Sequence, residues 1–412
     1  MKAIWFELNL PRMGLTKLAS RMNRNACWGP LSTLRYGDRP DPALPSGEWV
    51  RCRTLLGGIC GSDLAVIQLR QPISSILRPH VSYPILLGHE NVAEVVEVGP
   101  SADSIWLHKR VCVEPTLACR QRGIDPPCKA CAAGRFGECE NFSLTSGPLP
   151  PGISIGYNNR TGGSWGEYFV AHQSQLIGIP DSVDNEMAIL VDPLACAMHG
   201  VMRSRPADDE QVLVVGAGVI GLGAVASLRA LGSTARIIVD ARHEFQAEAA
   251  IRVGANQTVF SGRPGSAERF DHLAEYAGTR VVKGWLGARV LAGGFDVVYD
   301  CVGSHDTIQD ALRSVRPGGR VVLLGTSFAR EVDWTAVWSR QIQVLGSYGR
   351  QIERWGERDI STYALVLELI ADGKMKFERL LTHTFALADY RKALAAVTGK
   401  RASGVIKAAF KF

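Results

Sequence analysis

A glycine fingerprint that follows an apolar segment most constrains the fold of this chain. Its residues are Gly216, Ala217, Gly218, Val219, Ile220 and Gly221. The apolar segment 212–215 precedes it, and a helical pattern continues to Leu231. In this context Gly216 permits a tight turn, Gly218 lets the backbone approach a pyrophosphate, and Gly221 lets helix and strand pack closely. The start of such a helix offers unpaired N–H groups to phosphate, so we predict a dinucleotide site here.

Apolar strands alternate with helices throughout residues 193–349. The predicted strands are 212–215, 236–240, 296–300, 320–324 and 341–345. This alternation predicts an α/β domain with a doubly wound parallel sheet. The residues before 193 are β-rich with long loops. The last predicted strand does not extend the alternation, so we expect residues 350–412 to rejoin residues 1–192 in one domain.

Asp240 ends the strand that follows the fingerprint helix. An acid at this place accepts hydrogen bonds from the adenosine ribose, and its charge opposes a 2′-phosphate, which favours NAD over NADP. Arg242 follows two residues later and could instead bind a 2′-phosphate, so NADP stays open as the alternative. A solvated acid at the end of a strand would be the non-functional explanation of Asp240.

Four cysteines lie in or beside a lobe rich in glycine and proline. Cys128, Cys131 and Cys139 are closely spaced, and Cys119 lies nine residues before Cys128. Four thiolates can close a tetrahedral structural zinc site and can replace a hydrophobic core in residues 119–139. Cys112 is the rival fourth ligand, and disulfides are the alternative to metal.

A second metal site is predicted from residues that lie far apart in the sequence. Cys60 and His89 are typical ligands of a catalytic zinc, which needs three protein ligands and keeps one position open. The third ligand could be Glu90, next to His89, or Asp192. Taken singly, Cys60 could be one more buried cysteine and His89 a loop histidine.

Two further residues near Cys60 fit such a site. Asp63 is placed to hydrogen-bond a zinc-bound histidine and fix its tautomer. Ser62 could carry the proton away from an alcohol.

The bulk composition excludes several classes of function. The formal charge of +6 is mild for 412 residues, and the basic residues are scattered, so we expect no nucleic-acid partner. No apolar run approaches the roughly 18 residues that span a membrane, so we expect no membrane partner. The amino terminus has no signal-peptide pattern, and the ten cysteines then point to metal or catalysis in a cytoplasmic protein.

These motifs together resemble the zinc-dependent medium-chain dehydrogenase/reductase family, which includes alcohol, sorbitol, threonine and glucose dehydrogenases. The resemblance rests on segments 58–63, 87–90, 163–168, 192–194, 216–221, 300–303 and 318–320, and on the cysteine lobe. It implies a GroES-like catalytic domain, residues 1–192 and 350–412, interrupted by a Rossmann domain, residues 193–349.

The resemblance also implies roles for metal-site residues. Cys60 and His89 would be catalytic zinc ligands. Asp192 lies where alcohol dehydrogenases have a cysteine and polyol dehydrogenases a glutamate, and its shorter side chain leaves Glu90 or water as alternatives. The family's first structural cysteine is Asp125 here, so Cys119 would replace it.

Cofactor contacts follow from the same resemblance. Cys196 would lie near the nicotinamide, Val302 would contact the cofactor, and Lys407 would meet the pyrophosphate. A histidine that often serves the family's proton relay is Ala65 here, so the relay would run through Ser62, a ribose hydroxyl and water.

The expected function is reversible oxidation of a secondary alcohol (a polyol, sugar, cyclitol or related compound) to its ketone. The expected cofactors are NAD and two zinc ions, one catalytic and one structural, in a homodimer or homotetramer. One alternative is a zinc-independent reductase of activated double bonds. The other is a non-catalytic NAD-binding sensor or structural protein.

Overall fold

The computed structural model describes residues 1–260, 265–326, 328–329, 331–377 and 379–412. Its contacts divide the chain into two units. Unit 1 comprises residues 1–192, 350–352 and 381–412, and unit 2 comprises residues 193–349 and 353–380. Residues 353–380, which the sequence assigned to the first domain, cluster with unit 2.

The strands of the described residues follow in chain order. The first eight are β1 (Lys2–Phe6), β2 (Leu34–Asp38), β3 (Trp49–Gly58), β4 (Ile85–Leu86), β5 (Asn91–Val98), β6 (Arg110–Val113), β7 (Tyr168–His172) and β8 (Leu176–Gly178). The others are β9 (Gln211–Val215), β10 (Arg236–Asp240), β11 (Gln257–Val259), β12 (Val281–Lys283), β13 (Arg289–Leu291), β14 (Phe295–Asp300), β15 (Val315–Leu323), β16 (Gln343–Gly346), β17 (Ile352–Trp355), β18 (Arg358–Ser361), β19 (Leu381–Ala386) and β20 (Lys407–Lys411).

The α-helices are distributed over both units. They are α1 (Leu10–Ala19), α2 (Gly61–Ile67), α3 (Lys129–Ala132), α4 (Asn185–Ala188), α5 (Val191–Arg203), α6 (Val219–Ala230), α7 (Glu244–Arg252), α8 (Ala267–Tyr276), α9 (His305–Ser314), α10 (Thr335–Ser339), α11 (Thr362–Ala371), α12 (Tyr390–Thr398) and α13 (Lys400–Ser403). Among the described residues, none of these helices is long and apolar enough to cross a bilayer.

Unit 1 is built on a seven-stranded sheet in the order β19-β20-β3-β5-β6-β8, with β7 also paired to β3. The carboxy-terminal strand β20 runs antiparallel to β3 and pairs Ala409 with Gly58, so the tail returns to the first domain as predicted. A three-stranded sheet, β2-β1-β4, lies beside it. Trp165 and Phe410, both fully buried, belong to the same core, and their rings meet edge to face.

Unit 2 contains a six-stranded parallel sheet in the order β11-β10-β9-β14-β15-β16. The strand order reverses between β9 and β14, and ligands of such sheets bind outside the carboxyl ends of strands at this point. The register places Val215, Asp240 and Asp300 side by side at that edge. This topology is the doubly wound sheet that the strand and helix alternation predicts.

Several elements lie outside the predicted pattern. Helix α1 and strands β1 and β2 occupy the amino-terminal segment, and a hairpin, β12-β13, precedes β14. These elements are short, and their apolar residues show no sustained period, so tertiary packing rather than local pattern determines them.

Candidate zinc and dinucleotide sites

The lobe of residues 119–139 brings four thiols together. The sulfur atoms of Cys119, Cys128, Cys131 and Cys139 all lie within 4.8 Å of one another, and Cys119 Sγ is 3.7 Å from Cys139 Sγ. A tetrahedral ion with Zn–S bonds of about 2.3 Å separates its sulfur ligands by about 3.8 Å. The four thiols therefore fit a structural zinc ion. Cys112 lies outside this group, where its thiol donates to the Ala188 carbonyl.

Hydrogen-bond donors around the sulfur atoms favour their thiolate form. Asn141 Nδ2 lies 3.2 Å and Cys128 N 3.4 Å from Cys119 Sγ. Burial raises the pKa of Cys128, but hydrogen bonds from the Glu140 and Cys131 backbone outweigh it and lower this pKa to about 7. Burial raises the pKa of Cys131 and raises that of Cys139 to about 11. Thiolates are the metal-binding form of cysteine, so a bound cation would displace the protons of these two thiols.

The lobe has little else to hold it together. Its apolar cluster contains only Ala118, Phe142 and two of the cysteines as buried residues. Arg122, 1% exposed, adds hydrogen bonds from its guanidinium to the carbonyls of Leu117 and Pro150. Local sequence does not indicate this buried arginine, because its partners are backbone carbonyls up to 30 residues away.

A second group of metal-binding side chains consists of Cys60, His89 and Glu90. Their ligand atoms also lie within 4.8 Å of one another. Cys60 follows strand β3 and precedes helix α2, and the other two residues lie between β4 and β5. The chain approaches itself closely here, since a Cβ on Gly58 would lie 2.1 Å from Glu90 Oε2.

Asp63 stands behind this group on helix α2. It is fully buried, its Oδ2 accepts from the Cys60 N–H at 3.0 Å, and its Oδ1 lies 3.6 Å from His89 Nδ1. That second distance is an ion-pair contact and too long for a hydrogen bond. Burial lowers the pKa of His89, but Asp63 and Cys60 outweigh it and raise this pKa well above its usual value. Asp63 thus faces the ring nitrogen that a metal-bound histidine would turn to it.

Ser62 lies between Cys60 and Asp63 in the same turn. Its Oγ is buried, and among the described residues it has no hydrogen-bond partner. A buried hydroxyl without a hydrogen-bond partner lowers the stability of the fold. Since Ser62 lies near Cys60, we expect a bound ligand to supply the missing hydrogen bond.

Lys407 completes the group from strand β20. Its Nζ donates to Glu90 Oε2 and to the Ile59 carbonyl at 3.0 Å. Neither side chain of the Lys407–Glu90 pair is more than 2% exposed. The sequence assigned Lys407 to the cofactor pyrophosphate, and the structure places its ammonium beside Glu90. Its described contacts therefore go to Glu90 of the ligand group and to the backbone next to Cys60.

Asp192 lies outside this ligand group. It is 4% exposed, and its carboxylate forms an ion pair with Arg350, whose Nη1 also lies 3.7 Å from Glu114 Oε1. The structure thereby differs from the assignment of Asp192 to the zinc ligands, because the arginine engages its carboxylate. Of the two proposed third ligands, Glu90 is the one that the structure brings to Cys60 and His89.

The backbone of the glycine fingerprint is closely packed at Gly216 and Gly221 and open at Gly218. Gly216 adopts φ +95°, and a Cβ there would lie 2.4 Å from Val302 Cγ2. A Cβ on Gly221 would lie 1.8 Å from the Gly216 carbonyl oxygen, whereas Gly218 faces open space. Gly218 caps helix α6, whose first residues are Val219 and Ile220. The open backbone at Gly218 leaves room for a phosphate at the start of the helix.

Asp240 lies at the end of β10 and is 6% exposed. Its carboxylate forms an ion pair with Arg269 of helix α8, and Arg269 Nε lies 3.0 Å from Asp310 Oδ2. Burial raises the pKa of Asp240 to about 6, although Arg269 opposes the shift. The sequence pointed to Arg242, which is exposed. It did not indicate Arg269, which follows Asp240 by 29 residues and belongs to another element.

The two other residues assigned to the cofactor lie in unit 2. Cys196 is half-buried on helix α5. Val302 is 45% exposed just beyond β14, where its N–H donates to Asp300 Oδ1 at 3.0 Å. An exposed valine at the carboxyl edge of the sheet is available to an apolar ligand surface.

Two family models match separate parts of the chain. Residues 46–181 match the family described as alcohol dehydrogenase GroES-like domain, and residues 219–365 match the zinc-binding dehydrogenase family. Fold and ligands together define the class of zinc-dependent alcohol dehydrogenases. The chain belongs to the zinc-dependent medium-chain dehydrogenase/reductase family.

Individual relatives cover most of the chain. D-xylulose reductase A of Aspergillus oryzae is 26% identical over 362 residues, which are 87% of this chain and 89% of the relative. Sorbitol dehydrogenase of Bacillus subtilis is 26% identical and covers 86% of this chain and 88% of its own. A crystal structure described as a short chain alcohol dehydrogenase from E. coli CFT073 with NADH superposes with a TM-score of 0.73. It is 22% identical and covers 100% of this chain and 99% of its own.

Proposed function

We propose that this enzyme interconverts a polyol or related secondary alcohol and its ketone, with NAD as the hydride acceptor. The observation that carries the proposal is the convergence of Cys60, His89 and Glu90 ligand atoms within 4.8 Å, beside the unpartnered hydroxyl of Ser62. The substrate class is supported by relatives named for xylulose and sorbitol.

Each residue of the ligand group has a defined task in this proposal. Cys60, His89 and Glu90 would hold a zinc ion, which lowers the pKa of a bound alcohol so that it ionises near neutral pH. Asp63 keeps the His89 ring oriented through its Nδ1. Ser62 Oγ would accept the proton that the alcohol releases.

Lys407 sets the charge of the ligand group. The Cys60 thiolate and the Glu90 carboxylate outnumber the single ammonium by one negative charge, and a divalent cation would reverse that sign. A group with excess positive charge stabilises the negative charge that develops on the substrate oxygen. Lys407 thereby serves as a positioning residue that holds the Glu90 carboxylate in place.

Unit 2 would bind the dinucleotide at the carboxyl edge of its sheet. The start of helix α6 faces the pyrophosphate, and Asp240 accepts hydrogen bonds from the ribose hydroxyls. A 2′-phosphate would meet the Asp240 carboxylate in a buried setting, which supports NAD over NADP.

The polyol preference has support from charged side chains in unit 1. Asp192 and Arg350 are buried and form an ion-pair group with the partly exposed Glu114. Asp192 is close enough to raise the pKa of Glu90, although burial is the larger cause. Such a group offers donors and acceptors to a substrate with several hydroxyls.

A homodimer is the assembly that we propose for this chain. Strand β16 ends the six-stranded sheet and presents an unpaired edge to a second copy. Trp334, Trp338 and Tyr348 precede or follow this strand and are 48%, 76% and 52% exposed. Exposed aromatic residues near a sheet edge are typical of interfaces. The lobe thiols must stay reduced to bind metal, which supports action in the cytoplasm.

The test is turnover and metal content of a matched pair of variants. Reduction of NAD and of NADP is measured against polyols, sugars, cyclitols and simple alcohols, with zinc counted by elemental analysis. We expect two zinc ions per chain and turnover of a polyol with NAD. Cys60→Ser should lose one zinc ion and nearly all turnover, whereas Cys52→Ser, at a buried cysteine of the same region, should keep both. Full turnover by Cys60→Ser would refute the proposal.

A further inference from the structure

Helix α1 presents apolar side chains to solvent. Leu10, Leu15 and Leu18 are 68%, 54% and 63% exposed, and Met22, just past the helix, is 95% exposed. We name these four residues the leucine face. At about 100° per residue, the three leucines fall within an arc of about 140° on one side of the helix. Thr16, on the opposite side, is buried, so α1 packs on unit 1 and turns its leucines outward.

Cations border the leucine face, and the segment that carries them contains no acidic residue. Arg12 and Lys17 flank the arc on its two sides, and Arg21 and Arg24 follow the helix, all of them exposed. Residues 8–37 contain no aspartate or glutamate. An outward apolar face bordered by basic residues is the arrangement of helices that lie in the surface of an anionic bilayer.

A second exposed apolar segment lies in a loop whose start contacts helix α1. Lys17 Nζ donates to the Leu69 carbonyl at 2.9 Å, so α1 lies against the start of the loop that follows helix α2. In that loop Ile73 and Ile76 are 88% and 84% exposed. Residues 64–89, which contain this loop, also lack any aspartate or glutamate.

We propose that the leucine face, with Ile73 and Ile76, is a docking surface for an anionic lipid bilayer. Long aliphatic side chains would enter the boundary between headgroups and acyl chains, and the flanking cations would face the lipid phosphates and carboxylates. The contact is peripheral, as it requires no spanning helix. It replaces the expectation of no membrane partner, which considered only the length of apolar runs.

Vesicle sedimentation of the zinc-loaded full chain tests this proposal. We expect binding to phosphatidylcholine vesicles that contain phosphatidylserine, and at least about fivefold less binding to phosphatidylcholine alone. Binding should vanish as salt rises from about 0.1 M to about 1 M, because the Debye length then falls from about 10 Å to about 3 Å.

Matched variants locate the contact. Leu15→Ser with Leu18→Ser should reduce binding at least about fivefold, whereas Ile105→Ser with Leu107→Ser, at exposed apolar residues elsewhere in unit 1, should bind like the parent. Arg12→Gln with Arg21→Gln keeps the leucines and should also lose binding to anionic vesicles. This second variant tests the proposal even if the leucine variant does not fold. Circular dichroism and polyol turnover report folding, and turnover with a dissolved substrate should not change.

Three results would overturn the proposal. They are absence of binding by the parent chain, undiminished binding by a folded Leu15→Ser/Leu18→Ser variant, and self-association without lipid that depends on these leucines. The last result would assign the leucine face to a second copy of the chain. None of them bears on the zinc chemistry, because the lipid contact and the ligand group use different residues.

Discussion

Lys407 and Glu90 form a buried ion pair whose acid also belongs to the metal-binding group. Removal of the ammonium leaves a buried carboxylate without its cation, and a metal ion bound by Glu90 would neutralise that charge. We expect Lys407→Met to destabilise the zinc-free protein by about 3–5 kcal/mol and the zinc-loaded protein by clearly less. Thermal unfolding with chelator and with added zinc measures the difference. Lys411→Met, at an exposed residue of the same strand, is the control, and an equal loss of Tm in both metal states would contradict this role.

Asp240 makes cofactor binding depend on pH. Its pKa is raised by burial to about 6, so the carboxylate is ionised above this pH and protonated below it. The ribose hydroxyls require the ionised acceptor. We expect NAD affinity to be constant above about pH 7 and to fall by up to about tenfold per pH unit below pH 6.

The same raised pKa has a consequence for stability. The native state holds the Asp240 proton more tightly than the unfolded state, so the free energy of unfolding decreases as pH rises from about 4 to about 6. Fluorescence titration with NAD and urea unfolding across this range measure the two effects. Asp240→Asn should flatten both curves, and curves that keep their slopes in this variant would assign the titration to another group.

The cysteine lobe shows how a metal can replace a core at the scale of an element. Its buried apolar cluster is small, while its four sulfur atoms fit one tetrahedral ion. We expect Cys131→Ser to lose one zinc ion and to expose residues 119–139 to proteolysis, with a loss of stability of several kcal/mol. Cys112→Ser, which leaves the lobe thiols in place, should keep both ions. Limited proteolysis measures the exposure of residues 119–139, and elemental analysis counts the zinc ions. A protease-resistant lobe that keeps its zinc in Cys131→Ser would contradict a structural role of the metal.

The features that the sequence predicts best are local in the chain. The segment 216–221 carries its own turn and helix start, and Cys128, Cys131 and Cys139 lie within one short lobe. By contrast, Arg350 reaches Asp192 across 158 residues, and Lys407 reaches Glu90 across 317. Such pairs depend on how strands and loops pack in space, and no local pattern encodes them. The orientation of helix α1 is not encoded locally either, because its leucines face solvent whereas the apolar side of a surface helix usually faces the core.

Association of two chains belongs to the scale of the whole molecule. If the edge of β16 and its aromatic residues form the dimer contact, truncation of two tryptophans removes central contact area. We expect Trp334→Ser with Trp338→Ser to weaken the dimer about a hundredfold or more. Sedimentation velocity over a range of concentrations measures the change. Trp285→Ser, at the fully exposed tip of the β12-β13 hairpin, is the control, and an unchanged dimer in the double variant would exclude this contact.

The two residues of the Lys407–Glu90 pair are synthesised at very different times. Lys407 is synthesised 317 residues after Glu90, and strand β3 waits at least as long for its partner β20. At bacterial or eukaryotic elongation rates this delay is about 15–60 s. During that interval Cys60, His89 and Glu90 emerge without their buried cation. A nascent chain that captured zinc in this period would carry its metal before its last strand had formed.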